Sequence, residues 1–156
     1  MSTVSPTTFE EPRLDVTRLA RPAYRAMSAL DGAIELDSGL RDLVSLRASI
    51  INGCAYCVDM HTLDAKARGE SEQRLHAVAT WHEAPFFTDR ERAALWLTDE
   101  ITLIAGTHVP REAFEAAREH FPDEELAQLI WAIIGINAWN RLAVATRMRP
   151  GEYVPS

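Results

Sequence analysis

The 156-residue chain is long enough for one domain with a sizeable core, and 47% hydrophobic residues with seven Gly and eight Pro describe an ordinary globular fold. A formal net charge of -7, with the 16 Lys and Arg scattered rather than clustered, leaves no basic footprint for nucleic acid. No run approaches the ~18 apolar residues of a membrane span, and Met1 to Glu11 carry neither the basic nor the apolar region of a secretory signal, so a cytoplasmic protein is expected.

In chain order, residues 1–16, with Pro6, Pro12 and a Ser/Thr run, read as an arm that is poorly ordered or packed on a partner. A helical domain over 17–150 and a short tail over 151–156 follow. Pro22 suits a first helical turn, and Tyr24, Met27, Leu30 and Ile34 recur at helical spacing, predicting an amphipathic helix that ends near Asp37-Ser38-Gly39. Leu40, Leu43, Val44, Arg47, Ile50 and Ile51 mark the inner face of the next helix, which Asn52-Gly53 stops. The cysteine helix comes at once and runs to Arg68, closed by Gly69, with Lys66 and Arg68 where the helix dipole favours cations.

Residues 70–81 form a shorter helical stretch before Pro85. Thr88-Asp89-Arg90-Glu91 is a capping-box signature, and the helix it opens turns Ala93, Trp96, Leu97, Ile101 and Ile104 inward before Gly106. Pro110 begins a short successor with Ala113, Phe114, Ala117 and Phe121 on its inner face. Asp123 is expected to cap the last helix, 126–147, which is apolar on nearly all sides; it is either the central buried helix or lies against a second subunit. No alternating strand pattern appears, so the fold class is all-α.

The chemistry gathers at Asn52-Gly53-Cys54-Ala55-Tyr56-Cys57-Val58-Asp59-Met60-His61, which holds the only two cysteines. At about 100° per residue, positions 54, 57 and 61 fall near 0°, 300° and 340°, so both sulfurs and the imidazole share one helix face. Residues three apart on a helix have Cα atoms about 5 Å apart, within the ~4.4 to 6.8 Å that a disulfide tolerates, so the pair can open and close in place. Placed in the first turn, the thiols meet unpaired N–H groups and the positive dipole end, which favour thiolate. His61 stacks one turn beyond Cys57 and can take its proton, which assigns Cys57 as the attacking and Cys54 as the resolving sulfur. Thioredoxin-type CxxC sites put the low-pKa attacker first, the opposite order. Asp42, on the preceding helix folded back by the Asn-Gly joint, is the carboxylate placed to receive or relay the proton, while Asp59 points to solvent.

The run Leu40-Arg41-Asp42-Leu43-Val44-Ser45-Leu46-Arg47-Ala48-Ser49 and the cysteine segment resemble the alkylhydroperoxidase AhpD-like branch of the carboxymuconolactone decarboxylase family. Pro85-Phe86-Phe87-Thr88, His108-Val109-Pro110 and Ile136-Asn137-Ala138-Trp139-Asn140-Arg141-Leu142-Ala143 resemble it too, so the likeness covers most of the chain after Thr17. It implies an all-helical homo-oligomer and a thiol-dependent peroxidase without metal or other cofactor. In that scheme Cys57 reacts with hydroperoxide, Cys54 resolves, and a thiol or dithiol, protein or small molecule, is the reductant. The family relay uses the histidine matching His61 and a glutamate where this chain has Asp42, one methylene shorter, and Ile50 stands where a polar residue is expected, making the approach more apolar.

Other readings remain beside this one. Paired cysteines on a helix are often inert small hydrophobes, and Cys54, Cys57 and His61 could hold zinc if His76, His82 or His108 supplied a fourth ligand. Asp42 could be a first-turn acid or a partner of Arg47, and Asn137, Trp139, Asn140 and Arg141 read as packing and subunit contact. A disulfide-exchange or redox-sensing protein and a non-redox decarboxylase-like enzyme are the alternatives to the peroxidase.

Overall fold

A computed structural model describes residues 9–155, and among these every regular element is helical. They are α1 (Val16–Leu19), α2 (Arg21–Ala33), α3 (Ser38–Ile51), α4 (Ala55–Ala67), α5 (Glu72–Ala77), a 3₁₀ turn (Val78–Thr80), α6 (Asp89–Thr102), α7 (Ile104–Thr107), α8 (Arg111–His120) and α9 (Asp123–Thr146). The first half of the arm, residues 1–8, lies outside the described residues. Phe9 to Leu14 carry no helix and run past the end of α9, where the Arg13 N–H donates to Thr146 O at 2.9 Å.

The hub is α3, which packs on α4, α6 and α9. Its sequence explains why: the side chains around the helix feed three separate clusters. Leu40 and Val44 join Leu97, Leu129 and Ile133; Leu43 and Leu46 join Trp81 and Leu95; Ala48 meets the two cysteines and Ile136. Full burial of each leucine contributes about 1.5–3 kcal/mol, so α3 fixes the frame on which the cysteine helix is hung. Arg47, turned the other way, forms a nearly buried ion pair with Asp99 of α6 at 2.6 Å, and Asp99 also accepts from Trp81 Nε1.

The helix ends follow local chemistry. Thr88 and Glu91 make the expected reciprocal capping box. Three expectations fail, each for a visible reason. Asp123 is not the cap of α9: Pro122 holds that position, and Asp123, Glu124 and Glu125 fill the first turn, where the positive end of the dipole favours acids. Ile104 does not face inward. α6 stops at Thr102, the Thr107 hydroxyl donates to Glu100 O at 2.7 Å and turns the chain back, and Ile104 is 51% exposed. Of the two readings of α9, central burial is the one that does not hold, since it buries Leu129, Ile133 and Ile136 but leaves Trp131 49% and Ile134 41% exposed. By length and composition α9 could cross a membrane, but half of its apolar window is buried within this fold, as in a core helix.

Candidate functional site

The site is built by one joint. At the end of α3, Gly53 adopts φ 64, the left-handed conformation that only glycine reaches at little cost, and the Gly53 and Cys54 amides close back on Ile50 O and Ser49 O. The same two-bond stop delivers Cys54 as the N-cap of α4, where its Sγ accepts from the Cys57 N–H at 3.3 Å. Both cysteines are free and buried, and they share one cluster.

This arrangement separates the two thiols electrostatically. The Cys57 thiol donates to Cys54, backbone N–H groups of the first turn add to it, and the Asn140 amide reaches the same sulfur, so Cys54 is lowered to about 7. Cys57, which supplies that hydrogen bond and is itself buried, is raised. When the pair loses a proton, the N-cap position therefore favours the charge on Cys54 and the remaining proton on Cys57. The helix spacing alone favoured the thiolate at Cys57; the capping position outweighs it because the N-cap atom is the one aimed at the open N–H groups.

His61 lies below Cys57 on α4, and both line a cavity of about 390 Å³ with Tyr24, Asp42, Tyr56 and Trp139 among its walls. Burial lowers His61 to about 4, so the ring is neutral, and its Nε2 is buried without a hydrogen-bond partner. A neutral imidazole one turn from a protonated thiol can accept its proton, though burial that holds the ring at about 4 makes it a weak base in the resting protein.

Asp42 lines the same cavity but does not meet that nitrogen. Both of its oxygens take Arg68 Nη1 at 2.7 Å, so its partner is Arg68 across the helix pair and not Arg47. Burial nevertheless raises its carboxyl, with Arg68 opposing. Asp59 does not point freely to solvent: its Oδ2 accepts from Gly151 N at 2.9 Å, and Tyr153 OH bonds Asp64 at 2.7 Å, so the C-terminal tail lies along α4. Ile50 packs with the Leu43 and Trp81 cluster and lines neither the His61 cavity nor the one beside Cys54, so it does not shape the approach. Among the described residues no three His, Cys, Asp or Glu side chains are grouped to hold a metal ion.

Two residues matter more than sequence reasoning allowed. Asn140 is fully buried; its Oδ1 accepts from Asn52 Nδ2 at 2.9 Å and its Nδ2 donates to Ser49 Oγ at 3.0 Å, leaving a second N–H for the sulfurs. Asn52 in turn also donates to Asn137 Oδ1 at 2.9 Å. The signal was present as polar side chains interrupting an apolar helix, but only the fold tells that Asn140 among them turns inward to the cysteines. Asn140→Ala is expected to shift the first thiol titration, followed by thiolate absorbance, to higher pH. It should also cost about 1–3 kcal/mol in chemical denaturation, because the Asn52 amide and Ser49 hydroxyl each lose a buried partner.

The model of the carboxymuconolactone decarboxylase family matches residues 21–100, just over half of the chain. The chain is also 45% identical over 105 residues to the uncharacterized protein YdfG of Bacillus subtilis, covering 67% of this chain and 71% of that one. The chain belongs to the carboxymuconolactone decarboxylase family. Within that family it falls in the AhpD-like branch. The crystal structure of a protein of unknown function from Agrobacterium tumefaciens, a candidate antioxidant defence protein AhpD, superposes with a TM-score of 0.89 at 40% identity, over 92% of this chain and 100% of that one. An uncharacterized peroxidase-related protein with an AhpD core from Ralstonia eutropha gives a TM-score of 0.77 at 25% identity, over 90% and 80% of the two chains.

Proposed function

We propose that this protein is a thiol-dependent peroxidase of the reducing cytoplasm, in which Cys57 reduces a hydroperoxide and Cys54 resolves the product. The observation that carries the reading is that Cys57 and a neutral His61, whose buried Nε2 has no hydrogen-bond partner, line the same cavity. Branch members described as antioxidant and peroxidase-related proteins support it.

The reaction starts with Cys57 giving up its proton, to His61 or to the neighbouring Cys54 thiolate. The Cys57 sulfur attacks the outer peroxide oxygen, the O–O bond breaks, and the alkoxide takes the displaced proton and leaves as the alcohol. Cys54 thiolate then attacks the Cys57 sulfenic acid, forming the disulfide, and the expelled hydroxide takes a proton from solvent and leaves as water. Two thiols and one hydroperoxide become one disulfide, one alcohol and one water, and a thiol or dithiol reductant restores the pair. No metal or organic cofactor enters these steps. Asp42 serves by holding the Arg68 guanidinium at the cavity mouth, since its carboxylate makes no hydrogen bond to His61 Nε2. A turnover assay with an alkyl hydroperoxide and excess dithiol tests the reading: sustained alcohol production supports it, and none from folded protein refutes it.

A second reading, disulfide exchange with little peroxide turnover, is favoured by the resting thiolate on Cys54 at a helix N-terminus, the arrangement of exchange proteins. Rapid reduction of the protein disulfide without peroxide consumption would select it. The non-redox decarboxylase-like alternative has no use for the sulfur pair.

The protein works as a homo-oligomer in this account. Trp131 and Ile134 are exposed apolar side chains one turn apart on α9, and Leu103 and Ile104, also exposed, follow Thr102, whose hydroxyl accepts from Asn137 of α9 at 3.0 Å. Trp131→Glu is expected to lower the mass in light scattering to that of one chain; an unchanged mass would place the interface elsewhere.

A further inference from the structure

Three aspartates and two arginines line the His61 cavity, so its charges do not balance. Arg41 of α3 pairs with Asp31 of α2 at 2.9 Å, and Arg68 of α4 pairs with Asp42 of α3 at 2.7 Å. Asp64 of α4 is left over. Among the described residues it has no Lys or Arg partner, and its side chain meets one donor, the Tyr153 hydroxyl, which gives to Oδ1 at 2.7 Å. The α9 wall of the cavity, Ala132, Ile136, Trp139 and Ala143, brings no charge, and the other titratable groups in the lining are the Cys57 thiol and the phenols of Tyr24 and Tyr56.

Asp64 follows His61 by three residues, and side chains at that spacing on a helix are neighbours, with Cβ atoms about 5–6 Å apart. The surplus negative charge therefore stands beside the ring whose Nε2 is buried without a partner. Tyr153 fixes it there. The tail that carries this phenol is itself tied to α4, where Asp59 Oδ2 accepts from the Gly151 amide at 2.9 Å.

We propose that Asp64 is the positioning residue for proton transfer in this site: its carboxylate, held by Tyr153, stabilises the imidazolium that forms when His61 takes the Cys57 proton, a part that Asp42 cedes to Arg68. This rests on the peroxidase reading only for the fate of the thiolate. A buried imidazole is a weak base because water no longer solvates its charged form, and a nearby carboxylate restores part of what burial removes. Burial dominates at His61; Asp64 is the foremost charge opposing it, Asp31 acts in the same sense, and Arg41 and Arg68 act against them. Each arginine is offset by the aspartate it pairs with, so the unpaired carboxylate sets the balance. In the step itself the proton leaves Cys57 Sγ for His61 Nε2, the S–H electron pair stays on sulfur, and the imidazolium gives the proton to the alkoxide as the O–O bond breaks. Asp64 remains an anion throughout, and Tyr153 keeps its proton, since the bond to Asp64 raises the phenol above its ordinary value.

The test needs no peroxide. In a Cys54→Ser background, where serine still serves as an N-cap, Cys57 is the one thiol, and its alkylation by iodoacetamide at neutral pH follows the thiolate that His61 generates. Asp64→Asn keeps an oxygen to accept from Tyr153 and removes the charge. It is expected to slow alkylation about tenfold while His61 is present, and to change it less than about twofold once His61 is replaced by Gln. Tyr153→Phe, which frees the carboxylate, gives a second reading and should slow alkylation about threefold, again only with His61 in place. A disturbance of the fold would change the rate in both backgrounds. An unchanged or faster rate in either variant, slowing that survives His61→Gln, or no alkylation at all overturns the inference. Cumene hydroperoxide left unconsumed by wild-type protein, with the His61-dependent loss of alkylation intact, would sink the peroxidase reading and leave the role of Asp64 standing.

Discussion

Cys57→Ser is expected to lower peroxide consumption to the uncatalysed background, a loss of at least about a thousandfold, because a serine hydroxyl in the same cavity is a far weaker nucleophile than a thiolate at neutral pH. Cys54→Ser should behave differently. Its Cys57 can still be oxidised once, so intact mass should gain a single oxygen, but no disulfide forms and turnover stops. It should also react more slowly in that single step, since the Cys54 thiolate that accepts the Cys57 proton is gone. Rapid-quench measurement of the first turnover distinguishes the pair. If Cys57→Ser gains the oxygen and Cys54→Ser does not, the roles are reversed, as the resting position of the charge would allow.

His61 carries the second large effect. Replacement by Gln leaves the Cys57 proton without its nearby base, and the oxidation step should slow on the order of a hundredfold to ten-thousandfold. The wild-type rate should fall as pH drops below about 7, where Cys54 takes up its proton. Stability carries an independent signature. Burial lowers His61 to about 4 from its ordinary value of 6.5, so the neutral ring is favoured on folding. Its contribution is fully present above pH 6.5 and is lost as pH falls from there toward 4, the window in which the unfolded chain binds the extra proton. The amplitude is on the order of 3 kcal/mol, and His61→Gln should flatten that part of the stability profile in urea titrations from pH 4 to 7. A slope unchanged by the substitution would mean that the acid sensitivity lies with other groups.

Much of this molecule could be read from its residues because the signals were local. The Asn52-Gly53 stop, the Thr88 to Glu91 capping box and the stacking of His61 one turn beyond Cys57 depend on short-range geometry and appear as read, whereas Cys54, read onto the same face, is the N-cap and lines a different cavity. What failed depended on pairings between distant segments. Arg68 is 26 residues from Asp42, and only the folding of α4 back onto α3 brings them together, so the carboxylate that spacing pointed toward His61 is occupied by a guanidinium. Asn140 lies 88 residues from Asn52, and its facing the sulfurs follows from how α9 crosses the end of α3. The apolar run in α9 was ambiguous for a related reason: composition reports how much apolar surface a helix has, and not which part its own chain covers.

The measurement that bears most directly on the central claim is a count of free thiols in folded protein before and after stoichiometric alkyl hydroperoxide, read together with intact mass. The account predicts two thiols per chain at the start, none afterwards, a mass lower by two hydrogens, and recovery of both thiols with dithiothreitol. Two thiols still titrating after hydroperoxide, with the mass unchanged, would contradict it.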